Sequence, residues 1–148
     1  MGKILFSEEM AVQVESKLRT VWDINNAYWY PLFDSKRNDV IAFDSEYIHV
    51  PVKLKLLKEI FEEHSIATAY EIREDGSSFL ISDFLKYEMW DEEPYFEVSE
   101  CYWFDNNMDW IIYVSHEGTT TFGGEWLLSK VKEEWNDWKN HISWDTKN

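Results

Sequence analysis

The segment 95–122 constrains the fold most, because it alternates apolar and polar residues between turn-forming sequences. Asp105-Asn106-Asn107 and Glu117-Gly118 divide it into three runs, at 95–104, 109–116 and 119–122. Short runs rich in aromatic and β-branched residues, bounded by Asn, Asp and Gly, are typical of antiparallel strands. The pattern predicts a three-stranded meander in which successive side chains point to opposite faces.

Helical patterns lie on both sides of this meander and in the centre of the chain. Ser7 predicts the cap of a first helix that ends near Asn25-Asn26 and buries Met10, Val14, Leu18 and Val21. Pro51 suits the first turn of a second helix, whose buried stripe is Leu54, Leu57, Ile60, Phe61 and His64. After the Gly123-Gly124 turn, a C-terminal helix carries on one face Leu127, Leu128, Val131, Trp135 and Trp138.

A β-hairpin completes the predicted elements. The run 68–73 alternates, Asp75-Gly76 is a turn signal, and 78–81 returns. The apolar run 40–43 predicts a further strand, and 82–89 predicts either a short helix or an irregular loop. We therefore expect a single α+β domain over 1–148, with an antiparallel sheet (a hairpin plus the meander) packed by N-terminal, central and C-terminal helices.

Composition narrows the class of protein. Aromatic residues make up 18% of the chain and hydrophobic residues 45%, which is enough for a packed core. Cys101 is the only cysteine, which excludes an internal disulfide and a cysteine-rich zinc site and fits the cytoplasm. No signal peptide is evident at the N-terminus, and no apolar run approaches the roughly 20 residues that span a bilayer. We expect a cytoplasmic protein without a membrane partner.

The charge is strongly negative and unevenly distributed. The net charge is −15, from 29 acidic and 14 basic residues, which argues against nucleic acid as a partner. Residues 83–117, here called the acidic block, contain ten acids and one basic residue, Lys86, so this block carries −9. Acidity retained for solubility alone has no reason to concentrate in one segment. The block therefore favours a cationic partner, with plain solubility as the alternative.

Aromatic residues are interleaved with these acids and supply a candidate interface. Aromatic side chains anchor protein interfaces, and clustered carboxylates steer a basic partner. The loop 89–95 offers the best exposed candidates, and a plainly solvated loop is the alternative. The predicted partner-binding residues are Trp90 and Tyr95 as anchors, with Asp91, Glu92, Glu93, Asp105 and Asp109 as acids.

Catalytic and metal-binding motifs are weak. Ser115-His116-Glu117 has the residue types of a hydrolytic triad, but neighbours on a strand point to opposite faces, so Ser115 cannot hydrogen-bond His116 as its base. The four histidines are scattered, without the spacing of a metal site. We expect no cofactor, no metal and no enzymatic activity.

Two stretches resemble a known group of proteins: Tyr102-Trp103-Phe104, and the run from Asp109-Trp110-Ile111-Ile112-Tyr113 through Ser115-His116-Glu117-Gly118 to Phe122-Gly123-Gly124. They resemble small, acidic, aromatic-rich bacterial proteins of uncharacterised families, several of which act as immunity proteins for polymorphic toxins. The resemblance implies a single-domain cytosolic protein with a protein partner. It carries over no particular binding residue.

Three functions follow in order of preference. The leading hypothesis is a non-catalytic immunity or inhibitor protein that occupies a basic site on a toxin domain. The alternative is a small-ligand-binding or adaptor domain with an aromatic pocket lined by Trp29, Tyr30, Trp103 and Trp110. An enzyme that uses Ser115, His116 or Glu117 is the third. The oligomeric state does not follow from the sequence.

Overall fold

The computed structural model of the chain describes residues 3–25, 29, 36–87, 90, 100–115 and 117–143. Seven strands are formed, in chain order β1 Lys3–Leu5, β2 Val40–Asp44, β3 Ala69–Arg73, β4 Ser78–Ile81, β5 Cys101–Phe104, β6 Ile111–Val114 and β7 Thr119–Gly123. The described residues also form four α-helices, α1 Glu8–Trp22, α2 Ser45–Ile48, α3 Pro51–Glu63 and α4 Glu125–Glu134. Short 3₁₀ helices lie at Phe84–Lys86 and Trp138–His141.

The strands form one antiparallel sheet in the order β1-β4-β3-β5-β6-β7-β2. The predicted hairpin β3–β4 and meander β5–β6–β7 are both present, and pairing of β3 with β5, with Tyr70 opposite Phe104, joins them. The expected α+β class is confirmed. Strand β1 was not predicted, because three residues are too few for an alternating pattern.

Helix α1 begins as predicted and ends earlier. The Ser7 side chain accepts a hydrogen bond from the backbone N–H of Met10 at 3.2 Å, which caps the first turn. Asp23 adopts a left-handed conformation (φ 57°), so the helix ends at Trp22 rather than near Asn25. Met10 is exposed, and Trp22 joins Val14 and Leu18 on the buried face instead.

Helices cover both faces of the sheet, which explains the high aromatic content. Cys101 and Trp103 of β5 face the main core beneath α2, α3 and α4, whereas Tyr102 and Phe104 face a second core beneath α1. Strand β6 alternates in the same way. The predicted alternation is confirmed, and large side chains are buried on both faces.

The Gly123-Gly124 break is a tight strand-to-helix turn, as predicted. A Cβ on Gly123 would lie 2.6 Å from Ile111 Cγ2 and 2.7 Å from a ring carbon of Trp22. Gly124 has φ 114° and lies against the carbonyl oxygen of Asp109. Because neither position accommodates a side chain, the two glycines allow α4 to begin directly against β6.

Two expectations at helix ends were wrong. His64 follows α3 and is exposed, rather than buried on the helix stripe. Helix α4 ends at Glu134, so Trp138 lies in the following 3₁₀ helix, half-buried, rather than on the helix face. In each case the helical pattern was extended one residue or one turn too far.

Candidate partner-binding surface

Trp90 is buried, although the sequence predicted an exposed anchor. It is only 8% exposed, and its indole Nε1 donates a hydrogen bond to the carbonyl oxygen of Phe84 at 2.7 Å. Its ring packs against the rings of Phe61 and Phe84, at centroid distances of 5.7 and 5.3 Å. The residue therefore completes the main core. The other predicted loop residues, Asp91, Glu92, Glu93 and Tyr95, lie outside the described residues.

Asp105, which the sequence predicted as a partner-binding acid, is also buried and directed inward. It is 8% exposed, and its carboxylate accepts hydrogen bonds from Trp110 Nε1 at 2.8 Å and from the backbone N–H of Asn107 at 3.0 Å. Burial raises the pKa of Asp105, and these hydrogen bonds oppose the rise. The carboxylate holds the β5–β6 turn and orients Trp110.

Asp109 is the one predicted acid that the structure describes as exposed. It borders a surface cleft of about 490 Å³, where the segment before β2, the segment before β6 and the start of α4 meet. The cleft is lined by Arg37, Asp39, Met108, Asp109, Glu125, Trp126 and Ser129. Three segments that are distant in sequence thus bring three carboxylates to one place.

Arg37, the one cation among the described residues that line the cleft, is already paired. Both Arg37 Nε and Nη2 donate to the Asp39 carboxylate at 2.8 Å, and Nη1 donates to the carbonyl oxygen of Val21. The guanidinium also lies 4.0 Å from the ring centroid of Trp22. Asp109 and Glu125 take part in none of the ion pairs formed within the described residues. The cleft therefore has an excess of negative charge.

Trp126 forms the aromatic wall of the cleft and packs against two other rings. The His64 imidazole stacks on it with ring centroids 3.8 Å apart and an interplanar angle of 3°. The ring of Phe61 meets it edge-on at 5.5 Å. Sequence reasoning missed Asp39, Glu125 and Trp126 as site residues, because no spacing pattern connects them with Asp109.

Two further acidic side chains are buried and hydrogen-bonded inside the protein. The Glu71 carboxylate is fully buried and accepts hydrogen bonds from Tyr87 Oη at 2.8 Å, Trp103 Nε1 at 2.9 Å and Arg73 Nε at 2.6 Å. Glu100, in the acidic block, is buried and accepts a hydrogen bond from the Tyr113 hydroxyl. Burial raises the pKa of Tyr113. Some of the acidic residues therefore stabilise the fold and do not face a partner.

Ser115 shapes a turn. Its Oγ accepts hydrogen bonds from the backbone N–H groups of Glu117 at 3.1 Å and Thr119 at 3.3 Å, and it lies 2.7 Å from Thr119 Oγ1. These contacts hold the β6–β7 connection. His116 lies outside the described residues.

The predicted aromatic pocket does not form from its described members. Trp29, Trp103 and Trp110 are all buried. Trp29 belongs to the second core with Trp22, whereas Trp103 and Trp110 belong to the main core on the other face of the sheet. Tyr30 lies outside the described residues. The three indoles therefore serve packing.

The described residues contain neither a cluster of metal-ligating side chains nor a helix suited to a membrane. No three His, Cys, Asp or Glu side chains among them are grouped as metal ligands would be. Within the same ranges, no helix has the length and apolar character that crossing a bilayer requires.

Comparison with protein families, with curated proteins and with solved structures finds no match to this chain. The class is therefore defined by the molecule itself. It is an α+β domain with a seven-stranded antiparallel sheet between helices and an acidic, aromatic-walled cleft at its surface.

Proposed function

We propose that this chain is a non-catalytic binding protein, an immunity or inhibitor protein that neutralises a basic toxin domain in the cytoplasm through an acidic surface. The observation that carries the proposal is the −9 charge of the acidic block within a chain of net charge −15. Such a field attracts a cationic partner and raises its association rate.

The cleft supports the same proposal from the described residues. Asp109 belongs to the acidic block, and Glu125 brings a second carboxylate to the same cleft. A lysine or arginine side chain of a partner can pair with both, and the indole of Trp126 offers it an aromatic surface. Because Asp39 already neutralises Arg37, that arginine opposes such a partner little.

Four residues of types that often act in catalysis have structural contacts instead, which supports a binding role. Ser115 accepts turn hydrogen bonds, and Cys101 is buried in the main core. Asp105 and Glu100 each accept a hydrogen bond from a buried aromatic side chain. All four side chains are engaged in maintaining the fold.

Binding to the product of the neighbouring gene tests the proposal. Isothermal titration at low and physiological salt should detect a complex whose affinity falls as salt rises. The variant Asp91→Lys/Glu92→Lys/Glu93→Lys should weaken it about 100-fold or more, because reversed charges repel the basic partner.

The matched control reverses three exposed acids on helix surfaces elsewhere, Glu59→Lys/Glu62→Lys/Glu133→Lys, and changes the net charge by the same amount. This control should weaken binding much less. The proposal fails if no complex forms, or if both triple variants weaken the complex equally.

A further inference from the structure

Strand β2 is an edge of the sheet, and edge strands carry the risk of pairing with another chain. Its inner side pairs with β7, with Ala42 opposite Thr121. The four residues Val40-Ile41-Ala42-Phe43 are uncharged and buried, so this edge is apolar as well as extended. It needs a cover if the protein is to remain separate from other copies.

The C-terminal segment 137–143, here called the strap, provides that cover. Ile142 forms an antiparallel bridge with Phe43, and the backbone N–H of Ser143 donates to the carbonyl oxygen of Ala42 at 2.8 Å. In an antiparallel ladder the N–H and C=O of one residue face the same side. The Ala42 amide therefore faces the strap too.

Tyr47 of α2 clamps the strap through side-chain contacts. Its hydroxyl donates to Asp137 Oδ1 at 2.6 Å, and the His141 ring stacks on its ring with centroids 3.9 Å apart. His141 Nε2 in turn lies 3.4 Å from Asp137 Oδ2. Because α2 directly follows β2, the clamp and the covered edge belong to one local unit.

The strap differs in burial from the sheet it covers. Asp137, Lys139 and Asn140 are exposed, and Ile142 is only half-buried, whereas the side chains of β6 are fully buried. Trp138 and Ile142 pack against the main core, but within the described residues the strap joins the sheet through the single Phe43–Ile142 bridge, whereas β6 pairs along its length with both β5 and β7. Segments of this kind open at a lower free energy than the whole fold.

We propose that the strap is a releasable cover, and that β2 pairs antiparallel with β2 of a second copy once the strap is released. Pairing centred on Ala42 reproduces a regular ladder about a two-fold axis and places Asp44 opposite Val40 of the second copy. No two acids then face each other directly. The strap thus holds a self-association edge closed.

Proline at position 143 tests this in the full-length chain. Ser143→Pro removes the donated N–H, and Ile142 already has the extended conformation (φ −72°, ψ 129°) that precedes a proline without strain. Ser143→Ala is the matched control, since Ser143 Oγ finds no hydrogen-bond partner among the described residues. Hydrogen exchange and sedimentation over a concentration series are measured for both.

Ser143→Pro should make the Ala42 amide, which faces the strap, exchange about tenfold faster, because loss of the hydrogen bond from Ser143 N–H to the Ala42 carbonyl oxygen makes the strap open more often. The Ile112 amide in β6 should keep its protection, dimer should form with rising concentration, and Ser143→Ala should behave as wild type. Tyr47→Phe, which keeps the stacked ring and loses the hydroxyl, should shift Ala42 exchange in the same direction by a smaller factor.

Three results would overturn the proposal. Unchanged Ala42 exchange in both Ser143→Pro and Tyr47→Phe would show that the strap does not cover the edge. Faster exchange of the Ala42 amide in Ser143→Pro without formation of a dimer would show that a second copy does not pair with β2. Equal loss of protection at Ala42 and Ile112 would show that the strap opens only with the whole sheet.

Discussion

The carboxylates inside this protein are surrounded by hydrogen-bond donors, whereas those at the surface cleft face solvent. Glu71 and Asp105 lie among hydrogen-bond donors from tryptophan, tyrosine or backbone, so each carboxylate has a specific structural task. Asp109 and Glu125 lie at an open cleft and form no ion pair with any other described residue. Removal of the first kind should cost stability, and removal of the second should cost binding.

The histidines show the same contrast. His49 is half-buried beside Thr120, whose Oγ1 lies 3.1 Å from His49 Nε2, and desolvation lowers its pKa to about 4. His64 is exposed and presents one ring face to Trp126. Residue type and total charge therefore say little about what one ionisable group does. The role of an ionisable group depends on its burial and on the hydrogen-bonding groups around it.

The largest effect is expected at Glu71. Glu71→Ala leaves the buried Tyr87 hydroxyl and Trp103 Nε1 without their shared acceptor, which costs about 1–3 kcal/mol for each donor, and the half-buried Arg73 guanidinium loses its ion pair. Urea unfolding monitored by tryptophan fluorescence measures the loss. Glu62→Ala on the exposed face of α3 is the control and should change the free energy of unfolding by less than about 0.5 kcal/mol. Equal losses would contradict the comparison.

His49 should make the protein less stable in acid. Its native pKa of about 4 lies below the reference value of 6.5, so the unfolded chain binds the proton more readily between these values. Stability should fall by up to about 3 kcal/mol as the pH drops from 6.5 to 4. Unfolding free energies across this range should lose that dependence in His49→Gln and keep it in His64→Gln. A slope unchanged by His49→Gln would refute the assignment.

Asp105 should show a moderate cost with the opposite pH trend. Asp105→Ala leaves the buried Trp110 Nε1 without its acceptor, which costs about 1–3 kcal/mol. Because burial raises the native pKa above its usual 3.8, the native state binds the proton more readily than the unfolded chain. The free energy of unfolding of wild type, relative to that of Asp105→Asn, should therefore decrease as the pH rises from 3.8 through the raised native pKa. An increase would mean that hydrogen bonds outweigh burial.

The smallest effect on stability is expected at the cleft. The double variant Asp109→Asn/Glu125→Gln should change the free energy of unfolding by less than about 1 kcal/mol, since both groups are exposed. Titration with the proposed basic partner should show about tenfold weaker binding and a smaller dependence on salt. A large loss of stability with unchanged affinity would reverse the roles assigned to the two sets of acids.

Local patterns predicted much of the fold. The Ser7 cap, Pro51 at the start of α3, the hairpin around Asp75-Gly76 and the strand alternation each depend on neighbouring residues, so sequence is sufficient for them. The candidate site was harder. Residue type and nearby acidity indicate Trp90 and Asp105 as site residues, but neither property reveals which way a side chain points.

The sequence by itself determined the class of the protein: an acidic α+β domain with a meander, a hairpin and helices at both ends and in the centre. Only the tertiary structure decided which acids work inside and which face solvent. It also joined Asp39, Asp109 and Glu125 in one cleft and placed the C-terminal strap on β2. The physical reason is that helix caps, turns and strand alternation depend on residues that are neighbours in sequence. The burial of a side chain depends on segments that are far apart in sequence.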